Sequence, residues 1–205
     1  MKVAFKHKVL YVIGLLIVAL LVGCTKNDDT TLILLGTESY VSDIEKVIPP
    51  KLLNELGELP QGCKPPKIEG SFRISPERVH SSNPYWNQAH AVVEPDVLVH
   101  FRNQHNSVVE LEFYEATATL TDTVFVVGKD NCFTVYFQEN KTLTINDSIK
   151  SMTRGVVMTG EMCDEGIKNF LLAEIVLDAP EGFFQNEGDF FIYEDSDGLA
   201  ERIYR

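Results

Sequence analysis

The chain has 205 residues, with 18 Lys+Arg against 30 Asp+Glu and a formal net charge of −12. This acidity argues against a nucleic-acid partner, because no cationic patch is present to neutralise phosphates. The length and the 44% hydrophobic content suffice for one domain with its own core.

Lys2, Lys6 and Lys8 precede an uncharged run from Val9 to Val22, and small Gly23 follows. A basic head, an apolar stretch and a small residue at the cut predict a secretory signal over residues 1–23. The apolar run is shorter than the roughly 20 residues of a spanning helix. Leu21-Val22-Gly23-Cys24 resembles the lipobox of bacterial lipoproteins. The resemblance implies that Cys24 is diacylated, that the chain is cut just before it, and that its membrane partner is reached through this lipid anchor. Two or three acyl chains, each buried CH₂ contributing about 0.8 kcal/mol, hold a protein stably without a spanning helix. Loss of the signal leaves 15 basic against 30 acidic residues.

Residues 24–39 start with the polar stretch Thr25 to Thr31 and are expected to act as a tether. Lys26, Asp28 and Asp29 resemble the export signal of Bacteroidetes lipoproteins, which implies the outer membrane and its outer face; the periplasmic face is the alternative. The remainder, 40–205, is expected to be a single β-rich domain opened by short helices. Ser42 and Glu45 make an S-x-x-E capping box, and Val41, Ile44 and Ile48 share one helical face. Pro49-Pro50 interrupts this helix, and a second one runs through Leu52, Leu53 and Leu56 to Gly57. The pair is expected to plug one end of the domain.

From Ile68 the hydrophobic period changes from 3.6 to 2. Strands are predicted around Ile68–Ile74, Val97–Phe101, Val109–Phe113, Thr121–Val127, Phe133–Phe137, Arg154–Glu161, Gly166–Leu177 and Asp189–Tyr193, with turn-forming residues between them. Hairpin spacing without intervening helices predicts an all-β antiparallel meander of about eight or nine strands. A lipocalin-like barrel is the first reading and a two-sheet β-sandwich the alternative. Val124–Val127, Phe170–Val176 and Phe190–Tyr193 are apolar on both faces and must be covered on both.

Cys63, Cys132 and Cys163 can form at most one internal bridge, with Cys132–Cys163 a candidate. His80, His90, His100 and His105 lack the spacing of a metal site, so no metal or cofactor is expected. Asp195-Ser196-Asp197-Gly198 has the look of a calcium loop, but Tyr193 stands where such a loop needs an acid, and a turn is expected instead. No nucleophile elbow or phosphate-cradling loop is present, so catalysis is not expected. Tyr85 and Trp86, flanked by amides, are the candidate ligand contacts, against a core-capping role for the tryptophan. Thr30, Thr123 and Ser148, each after an aspartate, match a short O-glycosylation motif of Bacteroidetes.

Pro65 to Phe72, Cys132 to Phe137, Gly166 to Phe170 and Asp195 to Ala200 together resemble a group of Bacteroidetes lipoproteins with an all-β domain. Gly70-Ser71-Phe72 is similar to the lipocalin G-x-W strand, with phenylalanine in place of tryptophan. The combined reading is a membrane-anchored, non-enzymatic binding module for an apolar or glycan ligand. The alternatives are a structural or interaction lipoprotein and, more weakly, a hydrolase built on paired carboxylates such as Glu110 with Glu112 or Glu187 with Asp189.

Overall fold

The computed structural model describes residues 44–83, 92–115, 118–145, 148–181, 183 and 185–204. Two short helices, α1 (Ile44–Val47) and α2 (Pro50–Leu56), precede eleven strands: β1 (Gly70–Ile74), β2 (Pro76–Ser81), β3 (Val92–Val93), β4 (Val97–His105), β5 (Val108–Glu115), β6 (Ala118–Lys129), β7 (Cys132–Ile145), β8 (Ser148–Met162), β9 (Gly166–Asp178), β10 (Phe190–Asp195) and β11 (Leu199–Arg202). They form one antiparallel sheet in the order β11-β1-β4-β5-β6-β7-β8-β9-β10-β2-β3, closed on itself by β9–β11 pairing. β1 with β2, β3 with β4 and β10 with β11 are each one run broken by a few residues, so the wall is an eight-stranded up-and-down barrel. The sandwich alternative is excluded by this closure.

Closure is specified locally. Phe72 pairs with Arg202, whose guanidinium lies 4.9 Å from the Phe72 ring centroid and whose Nη1 donates to the Glu69 carbonyl. This cation–π seat ties the last strand to the first. The break between β10 and β11 is the Asp195-Ser196-Asp197-Gly198 turn expected above. Asp195 Oδ2 accepts from the Ser75 amide and its Oδ1 from the Asp197 amide, while Gly198 takes a φ of +81°.

Period 2 separates the two faces of the wall. Phe72, Val99, Leu111, Val126, Val135, Met158 and Phe170 face inward and form the lumen core. Tyr136, Val157, Ala173, Ile175, Phe190 and Ile192 face outward, and Val47, Ile48 and Leu52 cover them. The helices therefore lie along the outer wall of β7–β10 and do not plug an end. The physical reason is the two-sided apolarity of β9 and β10, which leaves an outer stripe that only an amphipathic segment can bury. Gly155 fits here because a Cβ would stand 2.9 Å from Ile48 Cδ1.

Two further expectations change. Cys132 and Cys163 are both free thiols, so no bridge joins them. β7 and β8 pair from Cys132–Glu161 all the way to Ile145–Ser148, far past the expected strand ends.

Candidate functional site: a charged ring above an aromatic floor

An eight-stranded barrel has an interior that side chains can fill or that can hold one small ligand. At the end nearest the β4–β5, β6–β7 and β8–β9 turns it is filled. Phe72, Phe101, Phe133 and Phe170 are at most 1% exposed, with Phe101 tilted between Phe72 at 6.2 Å and Phe133 at 6.3 Å. The tilted Phe72–Phe101 and edge-to-face Phe101–Phe133 contacts make a solid floor. One layer up, Val97, Phe113 and Phe137 keep 8%, 6% and 7% of their surface.

Above that layer the inward register carries charge. Phe133, Val135 and Phe137 are followed by Glu139; Met158 and Val156 are preceded by Arg154; Phe170 and Leu172 are followed by Glu174. β-Pairing sets Glu139 opposite Arg154, and Arg154 opposite Val176, one inward position from Glu174. Arg154 donates from Nη2 and Nε to Glu139 Oε2 at 2.5 and 3.2 Å, and from Nη1 to Glu174 Oε2 at 2.5 Å. All three side chains are about nine-tenths buried. Lys141 Nζ stands 3.9 Å from Glu139 Oε1, and Arg78 Nη1 stands 3.7 Å from Glu94 Oε1. Tyr193, in register with Arg78 and Leu172, completes the ring.

Burying ions costs several kcal/mol each, and a buried pair is often no more stabilising than apolar side chains of similar size. A fold needing only stability has little reason to put a triad here, which makes the ring the candidate site. Burial, then the nearby Glu174 and Glu94 carboxylates, push the Tyr193 phenol above its ordinary value. The phenol is thus a neutral donor throughout the physiological range. The folded state holds this proton more tightly than the unfolded chain does, so folding stability falls as pH rises beyond about 10, by up to ~1.4 kcal/mol per pH unit. Denaturant titrations of wild type and Tyr193→Phe between neutral pH and pH 11 will show a shallower loss in the variant. Parallel curves would remove Tyr193 from the buried ring.

The ring opens sideways. β6 and β7 pair only from Phe125–Tyr136 to Lys129–Cys132, although the same register would continue to residues 118–124 and 137–143. Over that stretch, among the described residues, β6 pairs only with β5 and β7 only with β8. The two strands splay, and their inward positions at the gap include Leu120 on one side and Glu139 and Lys141 on the other.

No family model, curated protein or solved structure matches the chain. Its function must therefore be read from the barrel itself.

Cys24, Thr30, Tyr85, Trp86 and His90 lie outside the described residues. Thr123 is half-buried within β6, in register with Glu110, whereas Ser148 is exposed at the start of β8. His100 faces outward yet is buried, its Nδ1 2.6 Å from Ser71 Oγ and its ring edge-on to Tyr114. Glu110 and Glu112 lie on the outer face, bonded to Asn103 and Arg102. No cluster of metal-binding side chains occurs among the described residues. An outer groove of about 250 Å³ lies between α2 and the wall, beside His80, whose Nε2 stands 3.8 Å from Glu55 Oε2. It is smaller than the roughly 300–1,000 Å³ of usual ligand clefts.

Sequence reasoning passed over Glu139, Arg154, Glu174 and Tyr193. The available signal was parity: each charge continues the alternation of core residues on its own strand, where a solvent-facing charge would break it.

Proposed function

We propose that the protein is a non-enzymatic binding module that takes a small amphiphile into its barrel. The apolar body would lie on Val97, Phe113 and Phe137, and the polar head would meet Arg154, Glu139 and Tyr193. The observation carrying this reading is the buried ionic ring on the inward face of the barrel, next to the apolar layer of Val97, Phe113 and Phe137. The apolar outer faces of β9 and β10 do not support it, because the chain's own helices cover them. In this reading Cys24 is lipidated and the acidic barrel stands on its tether at an outer membrane. Ser148, exposed at a strand end, is then the glycosylation position to examine first.

Native mass spectrometry of the purified chain tests the binding reading. It should detect a co-purifying small amphiphile, and Phe137→Trp, which fills the layer above the floor, should lose it. A chain that carries no small molecule and takes up none from added monoacylglycerol would leave a solely structural barrel. Labelling with an alkyne fatty acid tests the anchor, and incorporation should vanish in Cys24→Ala.

A further inference from the structure

The ring also constrains the head group, an inference that rests on the binding reading above. Among the described residues its charges are matched internally. Arg154 is shared by Glu139 and Glu174, Lys141 stands beside Glu139, and Arg78 stands beside Glu94. That is three cations against three carboxylates. Asp122, on the inward register of β6 at the gap, is exposed, so water screens its charge.

We propose that the ring selects amphiphiles with an uncharged polyol head, of the glycerol or sugar type, over fatty acids and cationic amphiphiles. A carboxylate head would approach Glu139 and Glu174, and could reach the guanidinium only by displacing one of them. The displaced glutamate would then lose its guanidinium partner while still buried. An ammonium head would meet Arg154 and Lys141 with the same difficulty. A hydroxyl faces neither problem, because it donates to a carboxylate oxygen and accepts from a guanidinium N–H in the same position. Adjacent hydroxyls can bridge the alternating acceptors and donors of Glu139, Arg154 and Glu174 without breaking a pair, and the protonated Tyr193 phenol can serve another. Selectivity arises because each wrong head strands a buried charge, which discriminates more strongly than a poor apolar fit.

The test uses three ligands with one chain length and different heads: 1-monolauroylglycerol, laurate and dodecyltrimethylammonium. Each is titrated below its micelle concentration into the purified full chain by calorimetry. The glycerol ester should bind at least about tenfold more tightly than either ion, a modest share of what a stranded buried charge can cost. Glu139→Gln, which leaves the ring one positive charge in excess, should improve laurate binding by about tenfold and weaken the glycerol ester, which loses a carboxylate acceptor, so that the preference between the two narrows or reverses. Glu174→Gln provides the same comparison from a different strand. Laurate or the ammonium binding wild type as tightly as the glycerol ester would overturn the head-group assignment while leaving lumen binding intact. Binding of none of the three would overturn lumen binding itself.

Discussion

Arg154→Met should destabilise the barrel by about 3–5 kcal/mol, because it leaves Glu139 and Glu174 facing one another in the lumen without their shared cation. For a domain of this size the melting temperature should fall by roughly 10 °C or more. Most of this loss belongs to the stranded carboxylates and not to the missing methylenes, since methionine retains the apolar stem. Adding Glu139→Gln and Glu174→Gln to Arg154→Met should therefore recover most of the stability, although each added change removes a further ionic partner. That non-additivity distinguishes a buried ion triad from three independent polar residues. Urea denaturation of the single and triple variants measures it directly. A single variant within about 1 kcal/mol of wild type would mean that the triad is solvated and its pairs are worth no more than surface ones. The triple variant is also a functional probe: with Lys141 and Arg78 left against Glu94, it should turn the head preference toward laurate and keep affinity for chains.

Gly166→Ala should be the most damaging change outside the lumen. Gly166 begins β9 opposite Glu201, with φ at +159°, and a Cβ there would run into the Ala200 carbonyl. This neighbour cannot step aside. Ala200 is paired with Ile167, and Arg202 N donates to the Glu165 carbonyl at 2.8 Å across the same seam. Relief would have to come from moving β11 away from β9, which opens the barrel at the strand pair that closes it. A loss of about 3 kcal/mol or more is expected, from overpacking against backbone together with unfavourable φ. Gly198→Ala is the control. Its φ is +81° but a Cβ there meets nothing within 4 Å, so only backbone strain of about 1–2 kcal/mol applies. Equal losses in the two variants would show that the β9–β11 seam yields easily and that closure does not depend on this close approach.

The all-β architecture was legible because its core alternates cleanly. Val109, Leu111 and Phe113 between glutamates, and Phe133, Val135 and Phe137 on one face, mark the strands without knowledge of their partners. Barrel closure was less legible. It depends on β2, β3 and β11, which are short, carry charges such as Glu77, Arg78 and Glu201, and are held by register with neighbours distant in sequence. The far halves of β7 and β8 were hidden for a related reason. Asn140, Lys141, Thr142, Lys150 and Ser151 are polar on both faces and read as loop, because that hairpin extends beyond the part of the wall that has a neighbour on each side. The helices were visible from Pro50 and Gly57, but their place against the outer wall was not, since apolar residues on both faces of a strand do not say which face meets a helix. The ring was legible only in hindsight. A glutamate ending a run of core residues could as easily mark the strand's exit into solvent.

The splayed β6–β7 stretch also bears on how the protein keeps company with copies of itself. Among the described residues, the strand edges 118–124 and 137–143 have no strand partner across the gap, and such edges present amides and carbonyls that another chain could adopt as a template for sheet extension. What stands at those edges is Asp122 on one lip and Lys141 on the other, with Thr121, Gln138, Asn140 and Thr142 exposed or half-exposed around them. Charged and polar edge residues of this kind deter edge-to-edge zippering. The gap thus sets a polar rim between two apolar interiors, so that two barrels do not mistake each other for one.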